Sequence, residues 1–384
     1  MRIGVDASRL TRSRPTGTEN YSRHVVEEVL RRPRDPELRY RLYFNEPPSP
    51  GLAAAALADE VRSLPLPRLW THLALGREMA LDPPDVLWVP SHVLPIVHPR
   101  RSVAVVYDVG HRYFPRAHRL AEWVYVEWAI RRHVREASAI LTISHASRRD
   151  ILRLYGRYGA TPQRVVVAYP AVDEAFQPAN PVRLAEVRRR YALPARYVLA
   201  LGTIKPRKNL PRLVRAFARA RLGNDVGLAI GGGTSFGSRD VERAIEETRL
   251  QDRVHRLSYV EYEDLPALYS GAACVAIPSL HEGFGIPALE ALACGAPVLA
   301  SNRSALPEIV GQAGLQVDPL SLDSIAEGLR RILLDDTLAR SLREAGPVRA
   351  RVFTWAEAGR VTAGVLGAVA GDRPLPADGR DVHG

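Results

Sequence analysis

Short runs of β-branched and apolar residues recur along the chain, each followed by turn residues, with helical spacing between most of them. In the first half the runs are RIGVD, DVLWVP, SVAVVYD, AILTIS and RVVVAYP; in the second they are YVLALG, VGLAIGG, RVHRLSYV, ACVAIPS and APVLAS. Tyr21, Val25, Val26, Val29 and Leu30 share one face of a helix that begins near Asn20. Leu210, Leu213, Val214 and Phe217 do the same in a helix that begins near Asn209. Apolar strands alternating with amphipathic helices predict a parallel sheet covered on both faces. Two such series predict an α/β chain of two doubly wound domains. FQPANP, Phe176–Pro181, holds two prolines and no apolar period beyond its first residue, and is the candidate junction. Thr354-Trp355-Ala356-Glu357 matches a capping box and opens a last apolar helix to about Ala370. The remaining residues, 371–384, read as a disordered tail.

Length and composition agree with this division. A chain of 384 residues accommodates two domains, and 46% hydrophobic with 25% charged residues is a globular composition. No apolar run approaches the ~18–20 residues that span a bilayer. MRIGVDASRL reads as a strand from its third residue and not as a signal peptide. Cys274 and Cys294, both in apolar contexts, point to a reduced compartment without a disulfide framework, so the expectation is a cytoplasmic protein.

The net charge of +11 raises three partners: nucleic acid, an anionic membrane, or a phosphorylated substrate. The excess is diffuse, with 26 basic against 19 acidic residues in 1–178 and 27 against 23 in the remainder. That distribution reads first as a solvated Arg-rich surface, and a membrane-facing first half is the better functional reading. The loop Leu64–Trp70, LPLPRLW with Arg nearby, is a candidate for touching a membrane or lipid acceptor, although ordinary packing is the favoured reading. Of the 53 basic residues only Lys205 and Lys208 are lysine, and both fall in GTIKPRKN. This is a weak pointer to a place where a compact ammonium matters.

In open parallel sheets, ligands bind beyond the carboxyl ends of the strands, so the loops there are where chemistry is sought. The first such loop is Leu201-Gly202-Thr203-Ile204-Lys205-Pro206-Arg207-Lys208-Asn209. Gly202 ends a strand, Asn209 is placed to cap the next helix, and Pro211 is tolerated in its first turn. A helix N-terminus beside several cations suits a diphosphate; a basic loop that merely caps a helix is the equal alternative. The second loop is Glu282-Gly283-Phe284-Gly285-Ile286-Pro287-Ala288-Leu289-Glu290. Pro287 belongs at the first helical position and Gly295 ends the helix, which puts Glu290 one turn in and Glu282 on the loop before it. Gly283 and Gly285 permit close approach of backbone to a ligand.

HEGFGIPALEALACGAPVLAS, with its two glutamates eight positions apart, resembles the signature of retaining glycosyltransferase family 4, the mannosyltransferase-like group 1 glycosyltransferases of GT-B fold. GTIKPRKN resembles that family's donor-diphosphate loop, and DLPALYSGAACVAIPS and SALPEIVGQAGLQVDP resemble its flanking segments. GVDASRLTRSRPTGTENYSRHVVEEVL, VVYDVGHRYFP and AILTISHASRRDIL resemble first-domain segments, more loosely.

The resemblance implies two Rossmann-like domains facing across a cleft. Residues 1–176 would bind the acceptor, 182–354 the nucleotide sugar, and helix 355–370 would pack back on the first domain. It implies that Lys208, with Arg207, neutralises the diphosphate, that Glu282 contacts the transferred sugar, and that Glu290 contacts the ribose. Gly17 and Thr18 would offer backbone N–H groups to the phosphates, and Ser258-Tyr259-Val260 would hold the base. Gly202, Thr203, Lys205, Gly283, Phe284 and Gly285 complete the implied donor site. Many relatives carry Arg where this chain has Thr203, so Lys205 or Arg207 stands in for the second cation; many carry His-Asp where it has Tyr107-Asp108. Tyr107, Asp108, His111 and Ser144 are the implied sugar or acceptor contacts, with helix capping an equal reading for Asp108.

The activity so implied is retaining, metal-independent transfer of a hexose, mannose from GDP-mannose first, to a glycan or lipid-linked saccharide of polysaccharide assembly. A UDP- or dTDP-sugar with a small acceptor is the runner-up. No cofactor and no nucleic acid are expected, and peripheral contact with the inner membrane face is an extension of this reading. Three rivals are weaker. A glycoside hydrolase using Glu282 and Glu290 has no need of the cationic loop. A nicotinamide dehydrogenase would rest on Gly231–Gly237, whose GGGTSFG is not G-x-G-x-x-G. A nucleic-acid-binding protein would rest on the net charge alone.

Overall fold

In the computed structural model, the described residues are 1–11, 17–33, 35–66, 68–91, 93–233, 237–257 and 260–376. They divide into two compact units. The first comprises 1–111, 118–170 and the described chain from Thr354 onward; the second comprises 112–117 and 171–353. The change of unit near residue 170 precedes FQPANP because Phe176 is buried in the second unit, its ring 5.6 Å from that of Tyr262 and 6.2 Å from that of Tyr269.

The first unit is built on strands β1 (Arg2–Asp6), β2 (Arg39–Phe44), β3 (Glu60–Ser63), β4 (Val86–Val89), β5 (Ser102–Val105), β6 (Ala139–Thr142) and β7 (Val165–Val167). Their order is β3-β2-β1-β4-β5-β6-β7, every pairing parallel. The second unit is built on β8 (Arg196–Leu201), β9 (Val226–Gly231), β10 (Val254–Leu257), β11 (Cys274–Ile277), β12 (Val298–Ser301) and β13 (Gly314–Val317). Its order is β10-β9-β8-β11-β12-β13, again all parallel. Both sheets reverse winding direction once, between β1 and β4 and between β8 and β11. A doubly wound sheet opens its ligand crevice at that switch, beyond the strands' carboxyl ends.

All ten sequence runs are strands. β2, β3 and β13 were not among them, because RYRLYF alternates arginine with apolar residues and EVRS and GLQV are short and half polar. The strand interiors pack against helices on both faces, as parallel sheets require. In the second unit Val198, Leu228, Cys274 and Leu299 meet Leu213, Val214 and Phe217 of the helix Leu210–Arg219 and Ile325 and Leu329 of the helix Leu322–Leu334. Cys274 and Cys294 are both buried and free.

The last helix, Trp355–Ala370, opens on Thr354, whose hydroxyl accepts from Glu357 N at 3.1 Å. It packs on the helix Gly17–Arg31 of the first unit, where Trp355 stacks on His24 at 4.6 Å and Gly359 leaves room for Glu28. The expected disordered tail begins too early at 371. Residues 371–376 follow the helix in defined positions, with Arg373 N bonded to Ala368 O at 2.8 Å, while 377–384 lie outside the described residues.

Gly232, just past β9, has φ +134°, and a Cβ there would lie 2.2 Å from the carbonyl oxygen of Gly202. Substitution Gly232→Ala therefore forces the Gly202 turn to move. It is expected to cost about 2 kcal/mol or more, several degrees of Tm, and to lower activity beyond that loss. Thermal unfolding and single-turnover rates measure both.

Candidate active site

The carboxyl ends of β8 and β11, adjacent strands at the switch, carry the two loops singled out in the sequence. β8 ends at Leu201, Gly202 (φ +124°) follows it, the chain makes a 3₁₀ turn over Pro206–Lys208, and Asn209 (φ +60°) leads into the next helix. Past β11, Pro278 to Gly285 form the second loop, and Ile286–Ala293 is helical with Pro287 in its first turn.

The two loops meet at Glu282. Its Oε1 lies 2.7 Å from Lys208 Nζ and accepts the Ser279 hydroxyl at 2.8 Å; its Oε2 accepts Arg207 Nη1 at 2.5 Å. Arg207 Nη1 also donates to His281 O at 3.0 Å, and Leu280 N donates to Arg207 O at 2.7 Å. Ser304, past β12, donates to Glu282 O at 2.6 Å and accepts from Glu282 N at 3.1 Å. Glu282 is 5% exposed and Lys208 9%. Burial pushes the Glu282 carboxyl up, but the charges of Lys208 and Arg207 overcome it and hold the group down at about 2. A buried carboxylate between two cations leaves the cluster with one formal positive charge. The Lys208 ammonium passes over Gly202, where a Cβ would lie 3.3 Å from its Cε.

Glu290 stands one turn into the following helix, half-buried, with Oε2 accepting the hydroxyl of fully buried Tyr269 at 2.7 Å. Burial pushes its carboxyl up to about 7, against the opposing effects of the Tyr269 hydrogen bond and the Lys208 charge. Lys208 thus acts electrostatically on both glutamates.

Several expectations need correction. Asn209 sits at the N-cap position without capping, because its left-handed backbone takes the side chain away from the helix's first N–H groups. Its amide instead donates to Pro278 O at 3.0 Å and Pro319 O at 2.7 Å, tying the cationic loop to the ends of β11 and β13. Lys205 is not part of the Glu282 cluster; it lines a separate cavity of about 430 Å³ with Arg212, Arg215 and Asp240. Thr203 is exposed at the strand end, and Gly283 is buried in the loop. Phe284 turns its ring inward, 2% exposed and edge-on to Phe353 at 5.7 Å, so only its backbone is open to a ligand role. Gly285 is demanded by structure itself: φ is +111°, and a Cβ would meet Leu306 Cδ2 at 2.7 Å. Val260 is half-buried after β10, while Ser258 and Tyr259 lie outside the described residues, as do 234–236 of the Gly231–Gly237 stretch.

The residues proposed from the first unit are mostly engaged by their own unit. Gly17 and Thr18 are exposed in the first turn of their helix. The Tyr107 hydroxyl lies 2.7 Å from Pro90 O, 3.0 Å from Ser22 Oγ and 3.2 Å from Thr18 O, so it holds that turn in place. Asp108 Oδ1 accepts from Gly110 N at 2.8 Å, the capping reading. His111 is buried, with Nε2 3.0 Å from Glu127 Oε2 and 3.2 Å from the Tyr155 hydroxyl. Ser144 caps the helix His145–Tyr155 through Ser147 N at 2.9 Å. Sequence reasoning missed Ser279, Ser304 and Tyr269. Ser279 lies two residues beyond β11 and Ser304 three beyond β12, where polar residues in strand-end loops are the available signal; Tyr269 lies inside a helix and gives none.

Residues 186–349 match the family described as Glycosyl transferases group 1. The chain is 33% identical over 258 residues to O-antigen chain mannosyltransferase B of Escherichia coli, covering 66% of this chain and 67% of that protein. It is 35% identical over 232 residues to the MMP alpha-(1->4)-mannosyltransferase of Mycolicibacterium hassiacum, covering 59% and 53%. Sucrose-phosphate synthase from Thermosynechococcus elongatus shares the fold with a TM-score of 0.72 at 21% identity, over 97% of this chain and 99% of that one. Anabaena HepE, solved in complex with UDP and glucose, does so at 0.70 and 17%, over 96% and 99%. The two Rossmann-like units are those of the GT-B glycosyltransferases. The chain belongs to the group 1 glycosyltransferase family.

The raised carboxyl of Glu290 makes a stability prediction. In the unfolded chain this group ionises near 4.5 and in the folded one near 7, so its ionisation destabilises the fold increasingly between those values and fully above them. Glu290→Gln is expected to raise Tm by a few degrees at pH 8, on the order of 2 kcal/mol, with the gain shrinking toward pH 5. A gain independent of pH contradicts the assignment.

Proposed function

We propose that this glycosyltransferase moves a mannosyl residue from GDP-mannose to a hydroxyl of a glycan or lipid-linked saccharide, with retention of anomeric configuration and without a metal ion. The observation that carries the proposal is the Lys208–Glu282–Arg207 cluster at the ends of β8 and β11. The sugar is supported by the mannosyltransferases among the similar proteins.

When the glycosidic bond to the donor breaks, charge develops on the nucleoside diphosphate. Lys208 and Arg207 are the groups placed to stabilise it, and because that charge grows toward the transition state they accelerate the step. Glu282 holds both cations in place before substrate arrives and faces the transferred sugar. In the retaining reading the acceptor hydroxyl attacks from the side of the leaving group and gives its proton to a donor phosphate oxygen. No protein base is required, and the two arginine and lysine charges take the part a divalent cation would otherwise have. Glu290 accepts hydrogen bonds from the ribose hydroxyls, with Val260 and its neighbours at the base. The first unit is assigned the acceptor. In a second reading, a UDP- or dTDP-sugar donor with a small acceptor, the small acceptor is supported by 35% identity over 283 residues to a D-inositol 3-phosphate glycosyltransferase of Salinispora tropica, covering 68% of this chain and 56% of that protein.

Thermal-shift titration with a panel of nucleotide sugars tests the donor: GDP-mannose is expected to raise Tm most, and a larger shift with a UDP- or dTDP-sugar favours the second reading. Proton NMR of the first product formed reports the anomeric configuration, where inversion overturns the mechanism. EDTA is expected to leave the rate unchanged. Glu282→Gln is expected to lower kcat by at least ~10²-fold, in the range for loss of a group acting on the reacting centre, and an unchanged kcat removes Glu282 from the mechanism.

A further inference from the structure

A cavity of about 630 Å³ opens in the first unit at the amino ends of β5, β6 and β7, the end of the sheet away from its carboxyl-end loops. Arg101, Ser138 and Arg164 line it, each standing immediately before one of those strands. Arg148 reaches it from the helix His145–Tyr155, and residues 372–376, beyond the last helix, complete the lining. Its volume falls in the range of small-molecule sites, roughly 300–1,000 Å³.

Among the described residues, four guanidiniums and one carboxylate line this cavity. Backbone carbonyls hold three of the guanidiniums in place. Arg164 donates from Nη1 to Gly159 O at 3.0 Å and from Nη2 to Ala137 O. Arg373 donates from Nη2 to Gly367 O at 3.2 Å, at the end of the last helix. Arg148 donates from Nε to Val165 O at 2.9 Å and from Nη2 to Pro162 O at 2.8 Å. A carbonyl fixes a guanidinium without cancelling its charge, and arginine does not lose its proton in proteins. The carboxylate, Asp372, lies 3.9 Å from Arg101 Nη2 with its side chain 91% exposed, so water screens that pair. Neighbouring carboxylates are engaged by other arginines: Glu136 by Arg132 and Arg135, and Asp150 by Arg153. Burial pulls the Arg164 guanidinium below its ordinary value, and no carboxylate counters the effect. Buried Val166, Ala368 and Val369, with half-buried Leu375, supply an apolar wall.

We propose that this cavity binds a small diphosphate-bearing molecule, with phosphate oxygens on Arg101, Arg164 and Arg373 and the apolar wall left for whatever the diphosphate carries. A guanidinium presents a planar fork of donors that matches phosphate oxygens two at a time. The cations come from three separate segments around one cavity, an arrangement that a single phosphate does not span and two linked phosphates do. The Lys208–Glu282–Arg207 cluster belongs to the second unit, so this site is a separate one. The proposal goes beyond the assignment of donor and acceptor and does not depend on it.

Isothermal titration of inorganic pyrophosphate into the full chain at fixed ionic strength tests it, in the wild type, in a variant carrying R101Q and R373Q, and in Lys208→Ala. Pyrophosphate is expected to bind the wild type, to keep a binding site of similar affinity in folded Lys208→Ala, and to lose at least ~10-fold in affinity for that site in R101Q/R373Q. Circular dichroism controls for folding, and glycosyl transfer without added pyrophosphate is expected to be unchanged in R101Q/R373Q. Titration of ADP in parallel separates the sources of the diphosphate: tighter binding than pyrophosphate places a nucleoside on the apolar wall, equal binding assigns the site to the diphosphate alone, and either supports the site. No binding to the wild type, an unchanged isotherm in R101Q/R373Q, or loss of all binding in folded Lys208→Ala overturns the proposal.

Discussion

A carboxylate held between an ammonium and a guanidinium organises the second unit. Glu282 is buried, and a buried charge is tolerated only when paired and hydrogen-bonded; Lys208, Arg207 and Ser279 satisfy that condition from two loops, while Ser304 fixes the backbone of Glu282 from a third. Removing one partner leaves the others buried and uncompensated. The ends of β8, β11 and β12 are therefore tied together by the same contacts that place positive charge beyond the sheet. In the proposed reading stability and chemistry rest on one ion cluster, whose geometry the protein's own contacts define.

The topology makes this juxtaposition available. Two loops separated by more than seventy residues meet because their strands are neighbours at the point where winding reverses. Close packing of backbone then sharpens the place: Gly232 lies under the Gly202 carbonyl, and Lys208 crosses above Gly202. The first unit has the same winding but uses its strand ends differently. Tyr107, Asp108 and Ser144 spend their polar atoms on the unit's own backbone, leaving the exposed first turn at Gly17–Thr18.

The legible parts of the sequence were those where local chemistry and fold agree. Apolar runs in parallel strands, the capping box at Thr354, Pro287 inside its helix and Gly202 at a strand end all reappear in the structure. The pairing of Lys208 and Arg207 with Glu282 was not legible, because each was given a separate task and only the strand order makes them neighbours. Asn209 was misread since its residue type fits a cap whereas its φ of +60° does not. The surroundings of His111 are not legible locally either, because Glu127 and Tyr155, which enclose its ring, are distant in sequence. Strands β2, β3 and β13 escaped notice because sheet pairing, and not local apolar character, makes them strands.

In the proposed reading Lys208 and its neighbours bind the diphosphate of a nucleotide donor. Isothermal titration of GDP and GMP into the wild-type protein and into Lys208→Ala measures it directly, since the two ligands differ by one phosphate. GDP is expected to bind the wild type much more tightly than GMP, and this ratio to collapse toward one in Lys208→Ala, with GMP affinity little changed. A ratio preserved in the variant contradicts it.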